Sequence, residues 1–328
     1  MEAILHWDGS KQLVSPEALM GAVELTDVSG LSRTDMWAVG EAGAILHRDA
    51  VGWRNLRSGP TATIYSAWAA SESDIWAVAA GGMILHWDGS AWRTVQGPAG
   101  SEWLAVAGVS ASDVWAVGSA GGAMHWNGTT WSLQPVQTTA DLRALYVAPG
   151  GATVFAAGTG GNVYRYIGSW QKLTTNITVG LNALWGAGSD DIWAAGVGGT
   201  VIHWNGTLWS TTTSGTTQEL TAIGGSVISS LWFVGANGTA QFWDGAMMRS
   251  RNTGLSGTMR AVFSNGTATY AAGDGGAFYR FNPGMFATWT PVSSGTNNSL
   301  RAIALRPQPM ALELLLLGDS GTILLYKS

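Results

Sequence analysis

DIWAVAAGGMILHWDGSAW at residues 74–92, DVWAVGSAGGAMHWNGTTW at 113–131 and DIWAAGVGGTVIHWNGTLW at 191–209 are one phrase written three times. Looser copies run along the rest of the chain. Aligned on the Trp of the IWAV element, they bring Trp37, Trp76, Trp115, Phe155, Trp193, Trp232, Tyr270 and Leu315 into register, at spacings of 39, 39, 40, 38, 39, 38 and 45 residues. A fixed period of this size marks one supersecondary unit copied many times, each copy unable to bury its apolar faces alone. Pro307 and Pro309 lie in the one long interval.

Each copy divides into four short runs. Run A is LxAV-like, as at Leu104–Val106, Leu142–Leu145, Leu181–Leu184 and Leu220–Ile223; run B is the IWAVG phrase; run C is GxILHW; run D begins at the Trp of GxxW, as at Trp92, Trp131 and Trp209. The runs are rich in Val, Ile, Trp and Thr, are bounded by Gly, Asp, Asn or Ser, and are too short for helices, so they predict strands. The A–B connection reads SESD or SASD, where short polar side chains hydrogen-bond the backbone. In the B–C connection (AAGG, GSAG) glycines permit positive φ. The C–D connection contains Asp88-Gly89, Asn127-Gly128, Asn205-Gly206 or Asp244-Gly245, the strongest short-range hairpin signal. The D–A connection is longest. Three hairpins and a crossover make a four-stranded antiparallel meander, and units of about 40 residues stacked radially make a β-propeller.

The expectation is therefore an all-β, single-domain propeller over residues 1–328, with eight blades favoured and seven as the competing count. The chain opens inside a unit, with Ile4–Trp7 as run C and Lys11–Val14 as a degenerate run D, and it closes on runs A, B and C at Leu300–Ile303, Glu313–Leu317 and Thr322–Tyr326. Residues 1–15 are expected to complete the last blade and close the ring. One run C is then surplus, which leaves strand exchange between copies, and so a homo-oligomer, open.

Composition narrows the function classes. Charged residues make up 11% of the 328, the formal net charge is −5, and sixteen Lys and Arg are scattered rather than clustered, so no nucleic-acid footprint is expected. Cys is absent, which removes disulfides and thiolate metal sites. No apolar stretch reaches the roughly 18 residues of a membrane span, and Met1–Leu13 has neither the basic nor the apolar segment of a signal peptide. An extracellular or cell-surface setting is favoured nonetheless. High Gly (46) and high Trp (19) with little charge fit a turn-rich β protein rather than disorder.

All nineteen Trp fall at repeat positions. Those of run B are expected in the core. Those ending run C and starting run D flank the DG or NG turn, and two uses are open to them: packing at the rim, or stacking on the apolar face of a sugar ring while nearby Asp, Asn and Ser bind its hydroxyls. The five histidines (His6, His47, His86, His125, His203) share one register in run C. Asp74 opens run B of the unit that holds His86, so an imidazole bonded to a turn Asp or to a backbone carbonyl is expected to fix the blade. One His per unit spreads them around a ring, so no metal site and no other cofactor is expected.

The pattern LxAVxxSxxDIWAVGxxGxIxHWxGxxW resembles the tectonin and tachylectin type of Trp-rich propeller repeats, and its HWDGSAW end is similar to repeats of bacterial seven-bladed fucose-binding lectins. The resemblance implies glycan binding between blades at Trp87, Trp126 and Trp204, with His86, His125 and His203 and the turn residues Asp88, Asn127 and Asn205. It fails at Arg48, at Arg165–Tyr166, at Arg280–Phe281 and at Leu325–Tyr326. Asp88 stands four residues before Trp92, whereas a sialidase Asp-box needs five, so no sialidase chemistry follows.

GDSG at 318–321 imitates a serine-protease signature but occupies the B–C turn. Glu41, Asp274 and Asp319 occupy such turns too, as solvated residues rather than a cation ring. A glycosidase needs two opposed carboxylates at defined separation, and no such pair stands out. The expected function is a non-catalytic multivalent lectin that gains avidity on a repetitive glycan surface. The alternative is a protein-interaction scaffold or a structural propeller of a larger assembly.

Overall fold

The repeat folds as its turns dictate. The computed structural model describes residues 3–6, 15–18, 25–32, 35–40, 45–48, 53–55, 64–71, 73–89, 91–96, 102–251, 253–283, 287–297, 299–306, 313–318 and 323–327. Among these, all regular structure longer than three residues is β-strand. Seven sheets are four-stranded antiparallel meanders, each strand beside its chain neighbour; Trp103–Ser110, Asp113–Gly118, Ala123–Trp126 and Trp131–Leu133 form one. The A strands of successive sheets adjoin, and Leu25–Ser32 adjoins Leu300–Arg306, so the eight sheets follow one another around an axis. This is a β-propeller.

The eighth sheet has five strands. Ala3–His6 lies against Ile323–Lys327 and Ser15–Ala18 against Ala3–His6. The N-terminal chain does join the last sheet, but the fourth place is taken by its run C, set parallel through Leu5↔Leu324 and His6↔Leu325. The expected donor, Lys11–Val14, lies outside the described residues. The apolar phrase AILH takes the place beside Ile323–Lys327.

Run B explains the core. A strand covered on one face alternates apolar and polar residues, whereas one covered on both reads as a continuous apolar run. In Asp113–Gly118 every residue after the Asp is buried, and Asp74–Ala79 repeats the pattern. The core lies between sheets. Trp76, Val78 and Ile84 of one pack against Trp103, Val106, Val114 and Met124 of the next. The outer D strands are short and largely exposed.

Two glycine positions hold the loops to the sheets. At Gly158, which ends a B strand, a Cβ would stand 1.7 Å from the Asp141 carbonyl oxygen. The same oxygen accepts the Thr159 N–H at 2.9 Å, where the A strand bulges. At Gly199, in a B–C turn, φ is +71° and a Cβ would meet the Thr216 carbonyl oxygen of the crossover at 2.0 Å.

The C–D hairpin departs from the two-residue turn that its dipeptide suggests. Trp126 pairs with Trp131, so Asn127–Thr130 is a four-residue loop. Gly128 has φ +93°, but no Asx residue before these glycines has positive φ among the described residues. The reason is the Asx side chain. Asn127 Oδ1 accepts the N–H of Thr129 and of Thr130, both at 3.0 Å, and the Thr129 hydroxyl at 2.8 Å. That network stabilises the wider loop.

Candidate functional site

The repeated histidine is built into its own sheet. Trp76 and His86 are cross-strand partners, and their rings stack at 3.8 Å between centroids. His86 Nε2 is hydrogen-bonded to Asp74 Oδ1 at 3.0 Å. His125 on Trp115 with Asp113, and His203 on Trp193 with Asp191, repeat the arrangement with ring distances of 4.3 Å and hydrogen bonds of 2.9 Å. His47 stacks on Trp37. The carboxylate opening run B thus orients the imidazole that covers the run-B indole.

The following sheet adds aromatic cover to each run-B indole. Trp126 and Trp131 lie on Trp76 at 4.8 and 5.1 Å, and Trp87 and Trp92 lie on Trp37 at 5.1 and 5.5 Å. Tyr166 and Trp170 clasp Trp115, and Phe281 and Trp289 clasp Trp232. Successive residues of a strand point to opposite faces. His86 therefore serves one inter-sheet interface and Trp87 the other. The same holds for His125 with Trp126 and for His203 with Trp204, so a nominated His meets the run-C ring of the next sheet rather than that of its own chain neighbour, as His86 and Trp126 do at 6.5 Å. Trp204 is 4% exposed and offers no ring face; Trp87 and Trp126 are partly buried against the preceding sheet's indoles.

The turn residues nominated for sugar hydroxyls serve the turns. Asp88 accepts the Ala91 N–H and the Arg93 Nε–H. Asn205 Oδ1 accepts the N–H of Thr207 and of Leu208 and the Thr207 hydroxyl. Asn205→Ala is expected to lower stability by about 1–2 kcal/mol, read as a lower urea midpoint at unchanged slope. Asp244 is equivalent. The Met247 N–H, the Arg249 guanidinium and the Ala246 N–H lower its pKa to about 2. The native carboxylate contributes to stability above its unfolded pKa near 3.8, and that contribution is lost as pH falls through about 2. NMR titration should place Asp244 near 2 in the native protein and show it rising in Arg249→Ala.

Four of the eight sheets depart from the pattern; in the 259–291 sheet Tyr270 pairs with Arg280, and in the last sheet Leu315 pairs with Leu325. Thr153, Phe155 and Arg165 occupy the Asp, Trp and His positions of the 142–173 sheet, and Arg165 lies 5.4 Å over Trp204. In the 220–250 sheet these positions hold Ser230, Trp232 and Phe242, whose rings lie 4.8 Å apart. Exposed apolar side chains cluster in the A–B and C–D turns of this region: Ile167, Leu208, Val227, Ile228 and Met247. Glu41 and Asp319 lie outside the described residues. Asp274 accepts the Arg260 guanidinium and the Thr258 N–H, so it is engaged within the fold.

The residue reading missed the opposite face, where crossovers meet B–C turns. A cleft of about 790 Å³ lies there, walled by Gly198–Thr200, crossover residues 211–218, and Asn237 and Thr239 of the following sheet. A second, of about 460 Å³, lies between Asp274–Tyr279 and the crossover Pro291–Asn297. Ser-Gly-Thr lies in both walls, at 214–216 and 294–296, but it stands at 256–258 and 320–322 as well and so does not single the clefts out.

No family model and no curated protein matches the sequence. Solved structures do. The chain is similar to YCF48 bound to D1 peptide, with TM-score 0.62, 14% identity and 94% of each chain covered. It is similar to the computationally designed Ika8 protein, with TM-score 0.78, 17% identity, and 95% and 98% covered. It is also similar to the C-terminal WD40 domain of Sif2, with TM-score 0.72, 11% identity, and 94% and 97% covered. At these identities the likeness carries the propeller fold alone.

Proposed function

We propose that this chain is a non-catalytic propeller that binds segments of other proteins. The observation behind the reading is the use the fold makes of its recurrent polar and aromatic residues. The Asp–His–Trp groups and the Asx turns are engaged in packing and turn formation, which leaves the loops as the variable surface. Those loops differ between sheets, and their exposed apolar residues fall in the turns of the 142–173, 181–211 and 220–250 sheets. One similar propeller is described as bound to a peptide, which supports the same use of the scaffold here. A multivalent lectin is the competing reading, and it has to work with indoles that already cover one another.

The test has two arms on the same purified chain. A random-peptide display library should enrich a defined motif, and a glycan array should show no binding that depends on Trp87 or Trp126. Array binding abolished by Trp126→Ala at unchanged melting temperature would overturn the proposal in favour of the lectin.

A further inference from the structure

Resting on that interaction reading, we infer that the cleft walled by residues 198–200, 211–218 and 237–239 receives an extended, uncharged segment of a partner polypeptide, rich in hydroxyl and carboxamide side chains. The wall selects the chemistry by what it contains. No lining residue of this cleft is charged, so an anionic or cationic ligand would lose hydration without gaining a counter-charge. Threonines dominate the lining, with Gln218 and Asn237, so an apolar ligand would strand polar groups. No aromatic ring lines it, so it has no platform for a sugar face.

The crossover also offers main-chain donors that peptide carbonyls can meet. The Thr216 N–H is taken by Ser214 Oγ at 3.3 Å and the Gln218 N–H by Thr216 Oγ1 at 3.1 Å. The N–H groups of Thr213, Gly215 and Thr217, between them, have no partner among the described residues. The Thr213 and Thr217 side chains are exposed, and neither hydroxyl bonds another described residue. The Gln218 carboxamide is held by Asn237 Nδ2 at 2.6 Å, which ties the end of the crossover to the B–C turn of the sheet it enters. A partner segment crossing 213–217 would meet these backbone donors flanked by hydroxyls, presented by a turn in which Gly215 has φ +75° and Ser214 Oγ accepts the Thr216 N–H.

The construction is repeated. In the second cleft Ser294 Oγ donates to the Thr296 carbonyl at 3.2 Å and accepts the Thr296 N–H at 3.4 Å, as Ser214 does for Thr216. The one acidic residue there, Asp274, is paired with Arg260.

The test uses the full chain and a random 12-residue peptide display library. Enriched peptides should be uncharged and rich in Ser, Thr, Asn, Gln and Gly. Thr213→Trp, which fills the cleft, should weaken them at least tenfold at unchanged melting temperature. Thr217→Trp is the second variant should the first melt early. Enriched peptides that carry charge, or that bind both variants as tightly as the parent, would sink the cleft assignment and leave the interaction reading standing. A neutral oligosaccharide on the array, bound by the parent and lost in both variants, would sink both.

Discussion

Gly158→Ala should unfold the propeller or lower its stability by at least about 3 kcal/mol, beyond the usual cost of an added methylene. The new Cβ would have to sit 1.7 Å from the Asp141 carbonyl oxygen, and that atom is backbone, with no rotamer to escape into. Moving it also breaks the hydrogen bond it accepts from Thr159 N–H. Gly168→Ala is the control. Its φ is +86° and nothing stands within 4 Å of a Cβ there, so only the left-handed backbone is strained, at about 1–2 kcal/mol. Chemical denaturation of the two variants should differ by several-fold in lost stability. Equal losses would mean that the Asp141 carbonyl does not pin the strand end.

Trp76→Ala should cost about 3–5 kcal/mol, as large buried aromatics do when truncated. Trp76 is 0% exposed, covered by His86 on one side and clasped by Trp126 and Trp131 from the next sheet. Its loss leaves a cavity between two sheets that move only as units. Trp126→Ala removes a partly buried ring from the same cluster and should cost less, about 2 kcal/mol. The pair of melting temperatures therefore ranks core against clasp. A Trp126→Ala protein that melts like the parent would return that ring to the surface and reopen the sugar reading.

The period of the phrase and the four apolar runs were enough to read meanders around an axis, because strand length and turn residues are local properties. A hydrogen bond fixing His86 was legible too, with a turn Asp or a backbone carbonyl open as its partner, and the fold selects Asp74. What escaped the sequence was which sheet each ring faces. Trp87 and His86 are adjacent in the chain and belong to different interfaces, a fact set by strand pleat and by the order of sheets. The wide C–D loop escaped for a different reason. Asn127 and Gly128 suit a tight turn, and the competing network through Thr129 and Thr130 outweighs it. The crossover clefts are made where B–C turns meet crossovers and the following sheet, and no motif in the sequence marks them.

The clasp of one sheet's indole by the next sheet's aromatic pair gives the seams at Trp37, Trp76, Trp115 and Trp232 a direction. At these seams one module brings a plug and its neighbour a socket, so the two join head to tail. Opening the chain at a crossover and joining its ends elsewhere would leave every plug seated. Excising one module would present a plug to a socket across a gap that the remaining wheel must bend to close. Such a chain has reason to tolerate circular permutation far better than the loss of a single copy.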